Sequence, residues 1–189
     1  MNDWEKLFHQ LAIDHQMTLD EIPNIDLYMD QVIQLFEKQY AETKRKEDEK
    51  ILTKTMINNY AKGKLLFPIK NKKYTKEHLI LLNFIYQMKG VLSITDIKKL
   101  LGKLNEKIEE DAFDPSDIYQ SYLQLTNNYA YHFKENLETI YQKSETELEK
   151  LDDPDGTYLK KLLMISSLAH LSNAYKRAAE KLIDELDEE

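Results

Sequence analysis

Thr55, Asn58, Asn59 and Lys62 recur at i, i+3, i+4 and i+7, the spacing that sets side chains on one face of an α-helix. Their types suit hydrogen bonding rather than bond-making. A carboxamide can bond an adenine edge at N6 and N7 in the DNA major groove, and hydroxyl and ammonium groups add further donors. The surrounding stretch, TKTMINNYAKGKLLFPIKNKKYT (53–75), holds six lysines and no acid. Lys54, Lys64, Lys70, Lys72, Lys73 and Tyr74 are therefore candidates for contact with a nucleic-acid backbone, which positions a protein without reading sequence.

The 189-residue chain as a whole has a formal net charge of -8, which by itself argues against nucleic-acid binding. The charge is unevenly spread: residues 1–37 sum to -7, 38–102 to +9 and 103–189 to -10. Counterion release depends on the charges that face the phosphates, so the middle segment escapes the global argument.

Other chemistries find little support. The chain has no cysteine, which removes disulfides, thiolate zinc sites and cysteine nucleophiles. The histidines (9, 15, 78, 132 and 170) show no i, i+3 or i+4 pairing, so no single helix offers a metal cluster. DDPDGT (152–157) invites comparison with a calcium loop. With Gly156 at the sixth position, however, the first and twelfth positions are Leu151 and Leu162, and the pattern fails. There is no phosphate-binding glycine loop, no G-x-S-x-G and no H-E-x-x-H. The expectation is a non-enzyme without cofactor or metal. The opening MNDWEKLFHQ lacks the features of a signal peptide and no apolar run reaches membrane-spanning length, so a soluble cytoplasmic protein without membrane contact is expected.

Only four glycines and four prolines punctuate the chain, which favours helices. Trp4, Leu7, Phe8, Leu11 and Ala12 predict a helix over 3–17, broken at DEIPNID (20–26) by Pro23. Tyr28, Val32, Leu35 and Phe36 predict a second over 26–40, capped by Asp26. Residues 42–50 carry no apolar side chain and read as a solvated helix extension or a mobile loop. Thr53 caps the helix bearing the polar face, with Met56, Ile57, Tyr60 and Ala61 opposite and Gly63 as its stop. PIKNKKYT (68–75) reads as a tight turn between two short extended pieces.

Thr75 then caps a helix ending at Gly90, and Ser93, with Asp96, caps a short helix over 93–101. Beyond it, Ile118, Tyr122, Leu125, Tyr129, Phe133, Leu137, Ile140 and Tyr141 predict a long helix over 116–151. After the turn at 152–156 a last helix carries Leu159, Leu162, Ile165, Ala169, Leu171, Tyr175, Leu182 and Leu186. Two long helices on a short turn should pack antiparallel. Tyr119, Tyr122, Tyr129, Tyr131 and Tyr141 could line an effector pocket or serve as core and dimer-seam residues.

The segment TKTMINNYAKGKLL resembles the recognition-helix region of MerR-type regulators, which commonly reads S-P-R-T-L-R-Y-Y-E-x-x-G-L-L. FPIKNKKYTKEHLILLNFIYQMKGVLSITDIKKLL resembles their wing and following helices. Asn58 and Asn59 stand where that family usually has Arg and Tyr, and lysines replace its wing arginines, favouring point-charge over bidentate phosphate contact. The whole chain resembles a YkrK-like family of Gram-positive proteins built on a domain of unknown function.

The resemblance implies a mostly α protein: an N-terminal helix and linker (1–24), a MerR-like winged helix-turn-helix with a short wing (25–102) and an acidic all-helical hairpin (103–189). It implies a homodimer that binds double-stranded DNA and regulates transcription, with an unidentified small-molecule effector as a further partner. The alternative expectation is a non-catalytic protein-interaction module on the same scaffold, its basic segment masked by the acidic flanks.

Overall fold

A hydroxyl that accepts from the third backbone N–H beyond it starts a helix cleanly. Thr53 Oγ1 does so for Met56 N at 3.2 Å, and Ser93 Oγ for Asp96 N at 3.1 Å. At Thr75 the capping partner is His78, whose Nδ1 accepts from Thr75 N at 3.2 Å. The computed structural model describes residues 3–13, 15–151 and 153–186, and all side chains of these except Asp3 and Trp4. The expected contribution of Trp4 to the first helix face, and Asp152 of the second turn, thus lie outside the described residues.

The protein is mostly helical. In order come α1 (Asp3–Gln10), β1 (Leu27–Tyr28), α2 (Met29–Gln39), α3 (Lys54–Lys62), β2 (Lys73–Tyr74), α4 (Lys76–Met88), α5 (Ile94–Glu109), α6 (Ser116–Leu148) and α7 (Gly156–Glu185). Short 3-10 turns occupy Leu19–Glu21 and Ala41–Thr43. The two strands form one antiparallel pair, Leu27 opposite Tyr74 and Tyr28 opposite Lys73.

Several helix limits differ from those read in the sequence, each for a local reason. α1 stops at Gln10, because Ala12 takes the left-handed conformation at φ 45. α2 starts at Met29, not near Asp26, because pairing with β2 holds Leu27 and Tyr28 extended; Tyr28 N caps against Gln31 Oε1 at 2.9 Å. α5 runs to Glu109 through Gly102, and ends only where Asp111 turns left-handed at φ 52. There Ala112 N donates to Lys107 O at 2.9 Å and Asp111 N to Ile108 O at 3.1 Å, a Schellman stop without glycine.

The 3-10 turn at Ala41–Thr43 extends α2 only briefly, and residues 44–50 are non-helical but tied down at both ends. Glu37 anchors the α2–α3 link by accepting from Ile51 N at 2.8 Å while pairing with Lys44. The Lys44 contact, ahead of the Ile51 hydrogen bond, holds its carboxyl below the ordinary value. Lys89 Nζ reaches Ile51 O at 2.7 Å from the other side. Ile51 and Leu52 are consequently buried.

One hydrophobic core runs from Met17 to Leu123, joining the N-terminal segment, α2 to α5 and the first turns of α6. A polar chain threads it. Tyr40 donates to Asn83 Oδ1, Asn83 Nδ2 donates to Leu79 O at 3.1 Å and Met17 Sδ at 3.4 Å, and Tyr119 donates to Met17 O at 2.6 Å. Burial pushes the Tyr40 hydroxyl up to about 12, so it remains a donor throughout the working range of pH.

α6 and α7 form the expected antiparallel hairpin, with Phe133, Leu137 and Ile140 of the predicted stripe in its seam and other members of the stripe outside it. Leu123, Ala130, Leu137 and Ser144 are buried at a strict seven-residue spacing, with half-buried Thr126, Phe133 and Ile140 between them. This is the a/d seam of a coiled coil. Ile118, Leu125 and Tyr129 of the predicted stripe are exposed, as are Tyr131, Leu162, Ile165, Tyr175 and Leu182. Tyr119 belongs to the core, so the five tyrosines do not line a common pocket. Phe8 of α1 stacks on Phe133, ring centres 6.4 Å apart. Among the described residues, no helix is long and apolar enough to cross a membrane and no group of three metal-ligating side chains occurs.

Replacing Tyr40 by Phe keeps the ring and strands Asn83 Oδ1. Urea unfolding should show a loss of about 1–3 kcal/mol, the cost of leaving a buried acceptor unsatisfied.

Candidate nucleic-acid interface

α3 is two and a half turns of amphipathic helix. Ile57 and Tyr60 are buried, Met56 and Ala61 half-buried, and Thr55, Asn58, Asn59 and Lys62 all exposed. The polar face read from the sequence is thus presented to solvent as a unit. α3 packs on α2, whereas the substantial contacts of α6 and α7 are with each other, α1, α4, α5 and the 19–21 turn. Within the chain, the acidic hairpin leaves the polar face uncovered.

The helix stops by a mechanism the sequence conceals. Gly63 keeps right-handed backbone at φ -73, and the left-handed residue is Lys64 at φ 60. Leu65 N donates to Tyr60 O at 2.9 Å and Lys64 N to Ala61 O at 3.1 Å, a complete Schellman motif. Glycine at 63 serves close approach instead. An added Cβ would lie 3.0 Å from Asn59 O and 2.9 Å from Leu65 Cδ1.

The turn after α3 also differs from the expected wing. Asn71 and Lys72 are left-handed at φ 53 and 59, and Lys73 N closes on Lys70 O at 3.0 Å, a type I′ turn. The residues before the turn do not pair with β2. Its partner is β1, the strand leading into α2. Lys70 and Lys72 are exposed, and Lys73 is half-buried with its ammonium 5.8 Å from the centre of the Tyr28 ring.

The candidate set is otherwise redistributed. Tyr74 is only 3% exposed; it faces the core beside Leu27 and burial raises its hydroxyl, so it cannot serve as a backbone contact. Lys54 is exposed but pairs with Asp30 at 2.8 Å, a surface contact worth little in water. Lys62 and Lys64 are exposed. Lys70 and Lys73 share a cleft of about 600 Å³ with Asp26, Glu77, Glu109, Asp111 and Asp114. The sequence run is free of acid, yet the fold brings acids from β1's approach, α4 and the α5–α6 connection to the turn. That neighbourhood is invisible in local sequence.

His78 ties the turn to α4. It is stacked on Phe67 with ring centres 3.7 Å apart, and Nε2 faces Phe67 O at 3.3 Å. Accepting from Thr75 at Nδ1 leaves the proton on Nε2, where it can be donated to that carbonyl. Burial lowers its pKa below the ordinary 6.5 despite the opposing pull of Phe67 O, Glu77 and Asp26.

Residues 17–122 match the family described as Domain of unknown function (DUF1836), more than half of the chain, and the chain belongs to that family. The matched span nearly coincides with the continuous core from Met17 to Leu123. The domain-of-unknown-function part of the expected resemblance is thereby shown; the YkrK-like naming and the MerR-type segment are finer than this match. No curated protein and no solved structure matches the chain.

Two outcomes are expected here. Lys64→Gly should stabilise the protein by roughly 1 kcal/mol in urea, by removing a side chain from left-handed backbone. For His78, the unfolded chain binds the proton more readily than the folded one. Stability should therefore fall as pH drops below about 6.5, the unfolded-state value, and level off below the folded pKa. Comparing unfolding at pH 7.5 and 5.5 with a His78→Phe variant checks this, since the variant should lose that part of the slope.

Proposed function

We propose that this member of the DUF1836 family is a sequence-specific, double-stranded-DNA-binding transcriptional regulator that works as a homodimer. Its reading unit is a MerR-like winged helix-turn-helix made of α2, α3, the 70–73 turn and α4. The observation that carries this is the exposed Thr55, Asn58, Asn59 and Lys62 face, held opposite buried Ile57 and Tyr60. A recognition helix needs that division: one face fixed to the fold, the other free to enter the major groove. The β1–β2 pair supports it further, because it fastens the lysine turn beside the start of α2. Lys64, Lys70 and Lys72 supply phosphate contacts, Lys54 (paired with Asp30) and Lys73 lie at their margin, and Tyr74 is structural.

The dimer reading rests on α7. Its Tyr158, Leu162 and Ile165 are exposed, and they recur at four- and three-residue steps. Such a stripe on a helix that already packs on α6 and α5 suits a second copy of the chain, and two copies suit paired half-sites. One observation favours a protein-interaction module instead: the acids that surround Lys70 and Lys73 reduce the positive field of the turn.

A gel-shift on random duplex at low salt separates the two readings. With DNA binding, Asn58→Ala should relax discrimination at one base position by about 1–3 kcal/mol. Lys72→Ala should weaken all sequences alike and reduce the slope of log K against log salt by about 0.9. Absence of binding at low salt, or binding without salt dependence, would sink the DNA reading and leave the interaction module.

A further inference from the structure

Most of the α6–α7 hairpin has almost no interior of its own. From Leu125 of α6 to Leu182 of α7, only Ala130, Leu137 and Ser144 are buried among the described residues, and only Leu137 of these is large. Helices in proteins gain most of their stability from an apolar face packed on a neighbour. A pair this long therefore calls for more cover than its two members give each other.

The sequence of α7 makes the same demand. Fourteen consecutive residues, Leu162 to Tyr175, include no Asp, Glu, Lys or Arg, although 32% of the chain is charged. None of the fourteen is buried, and ten are exposed. A surface helix ordinarily carries charge on its wet side. α6 has a similar run from Ile118 to Phe133, in which Leu125, Tyr129 and Tyr131 are exposed. The two runs meet at one groove of about 730 Å³, lined by Tyr129, Phe133 and Leu137 from α6 and by Leu168, Leu171 and Tyr175 from α7.

Size and charge both point to a second copy of the chain as the occupant. α6 beyond Leu125 is about 36 Å long and two helices side by side are about 20 Å wide, so the face covers roughly 700 Å². A stable dimer takes about 800 Å² from each partner. α6 holds five acids and two lysines, whereas α7 holds five cations and three acids. Charge thus opposes pairing of α6 with a second α6 or α7 with a second α7, and draws α7 of one copy to α6 of the other.

We infer that two hairpins close into a four-helix bundle, with α7 of each copy lying between its own α6 and that of its partner. The groove beside Leu168 and Tyr175 becomes the interior of the bundle. This rests on the homodimer part of the proposed function and assigns its surface; it does not depend on whether α3 reads DNA.

The test follows the full chain by light scattering across a dilution series from about 50 µM downwards, with circular dichroism to check that the helices persist. The wild type should be a dimer. Tyr129→Glu and Ile165→Glu change exposed side chains outside the core, and each should weaken the dimer about a hundredfold by burying an unpaired charge. Glu135→Lys with Glu138→Lys makes α6 net positive, and Lys161→Glu with Lys176→Glu makes α7 net negative. Either double variant alone should be monomeric, and an equimolar mixture of the two should form a heterodimer, a rescue that only folded chains can give. A monomeric wild type overturns the bundle together with the homodimer. A dimer that survives Tyr129→Glu and Ile165→Glu keeps the homodimer and overturns this face. Double variants that stay dimeric alone mean that like helices pair, and overturn the α6–α7 arrangement.

Discussion

Tyr40 and Asn83 meet in the centre of the core, and most of the described architecture hangs from that contact. Tyr40 ends α2, Asn83 sits mid-α4, and Asn83 also reaches the sulfur of Met17. The carbonyl of Met17 in turn receives the Tyr119 hydroxyl from α6. Four stretches of chain are thus placed by buried hydrogen bonds of fixed direction, and Gln87 adds to them by donating to Gln16 Oε1 at 2.9 Å. Apolar contacts tolerate sliding; a buried hydroxyl and carboxamide do not, because a lost partner leaves an unsatisfied group in a medium that cannot hydrate it. The orientation of α2 against α4, and through α2 that of α3, follows from this constraint.

The second organising element is the heptad seam of α6. It lets one long helix serve two bodies. Tyr119 and Leu123 complete the core, while Ala130, Leu137 and Ser144 face into the hairpin. The far end of α7 returns to the core, where Ile183 is buried and lies with Leu182 in an apolar groove against Leu92 and Leu100. At the hairpin tip, Lys160 pairs with Glu145 at 2.6 Å and lies 3.4 Å from the centre of the Tyr141 ring, joining the two helices.

How much of this was legible in the sequence depended on the range of the interaction involved. The starts at Thr53, Thr75 and Ser93 were readable because a cap is completed within a few residues. The polar face of α3 was readable because its spacing is periodic. The end of α3 beside Gly63 was readable too, though not that Lys64 would carry the left-handed turn; the stops at Ala12 and Asp111, left-handed without glycine, were not. β1 was missed because two residues are too few to show alternation and their partner lies across the fold. The stripes of α6 and α7 were legible only in part, Phe133, Leu137 and Ile140 rightly and Ile118, Leu125 and Leu162 not, because both helices carry apolar residues on more than one face and periodicity cannot choose between faces. Asn105 carried no local signal, because the Leu65 carbonyl it bonds lies forty residues away. The acids around the lysine turn escaped for the same reason, since Asp26, Glu77, Glu109 and Asp114 come from separate elements.

The 33 residues of α6 make a rod about 50 Å long, rooted in the core only by its first turns. Its base therefore acts as a fulcrum. Tilting the rod by about 5° would carry the far end through roughly 4 Å, a displacement larger than the spacing of atoms in contact. Phe8 stacked on Phe133 and Ile183 seated near Leu92 are the struts that resist such a tilt. Mechanical load placed on the tip would consequently be felt first at Tyr119, and through the Met17 carbonyl at the segment that leads into α2.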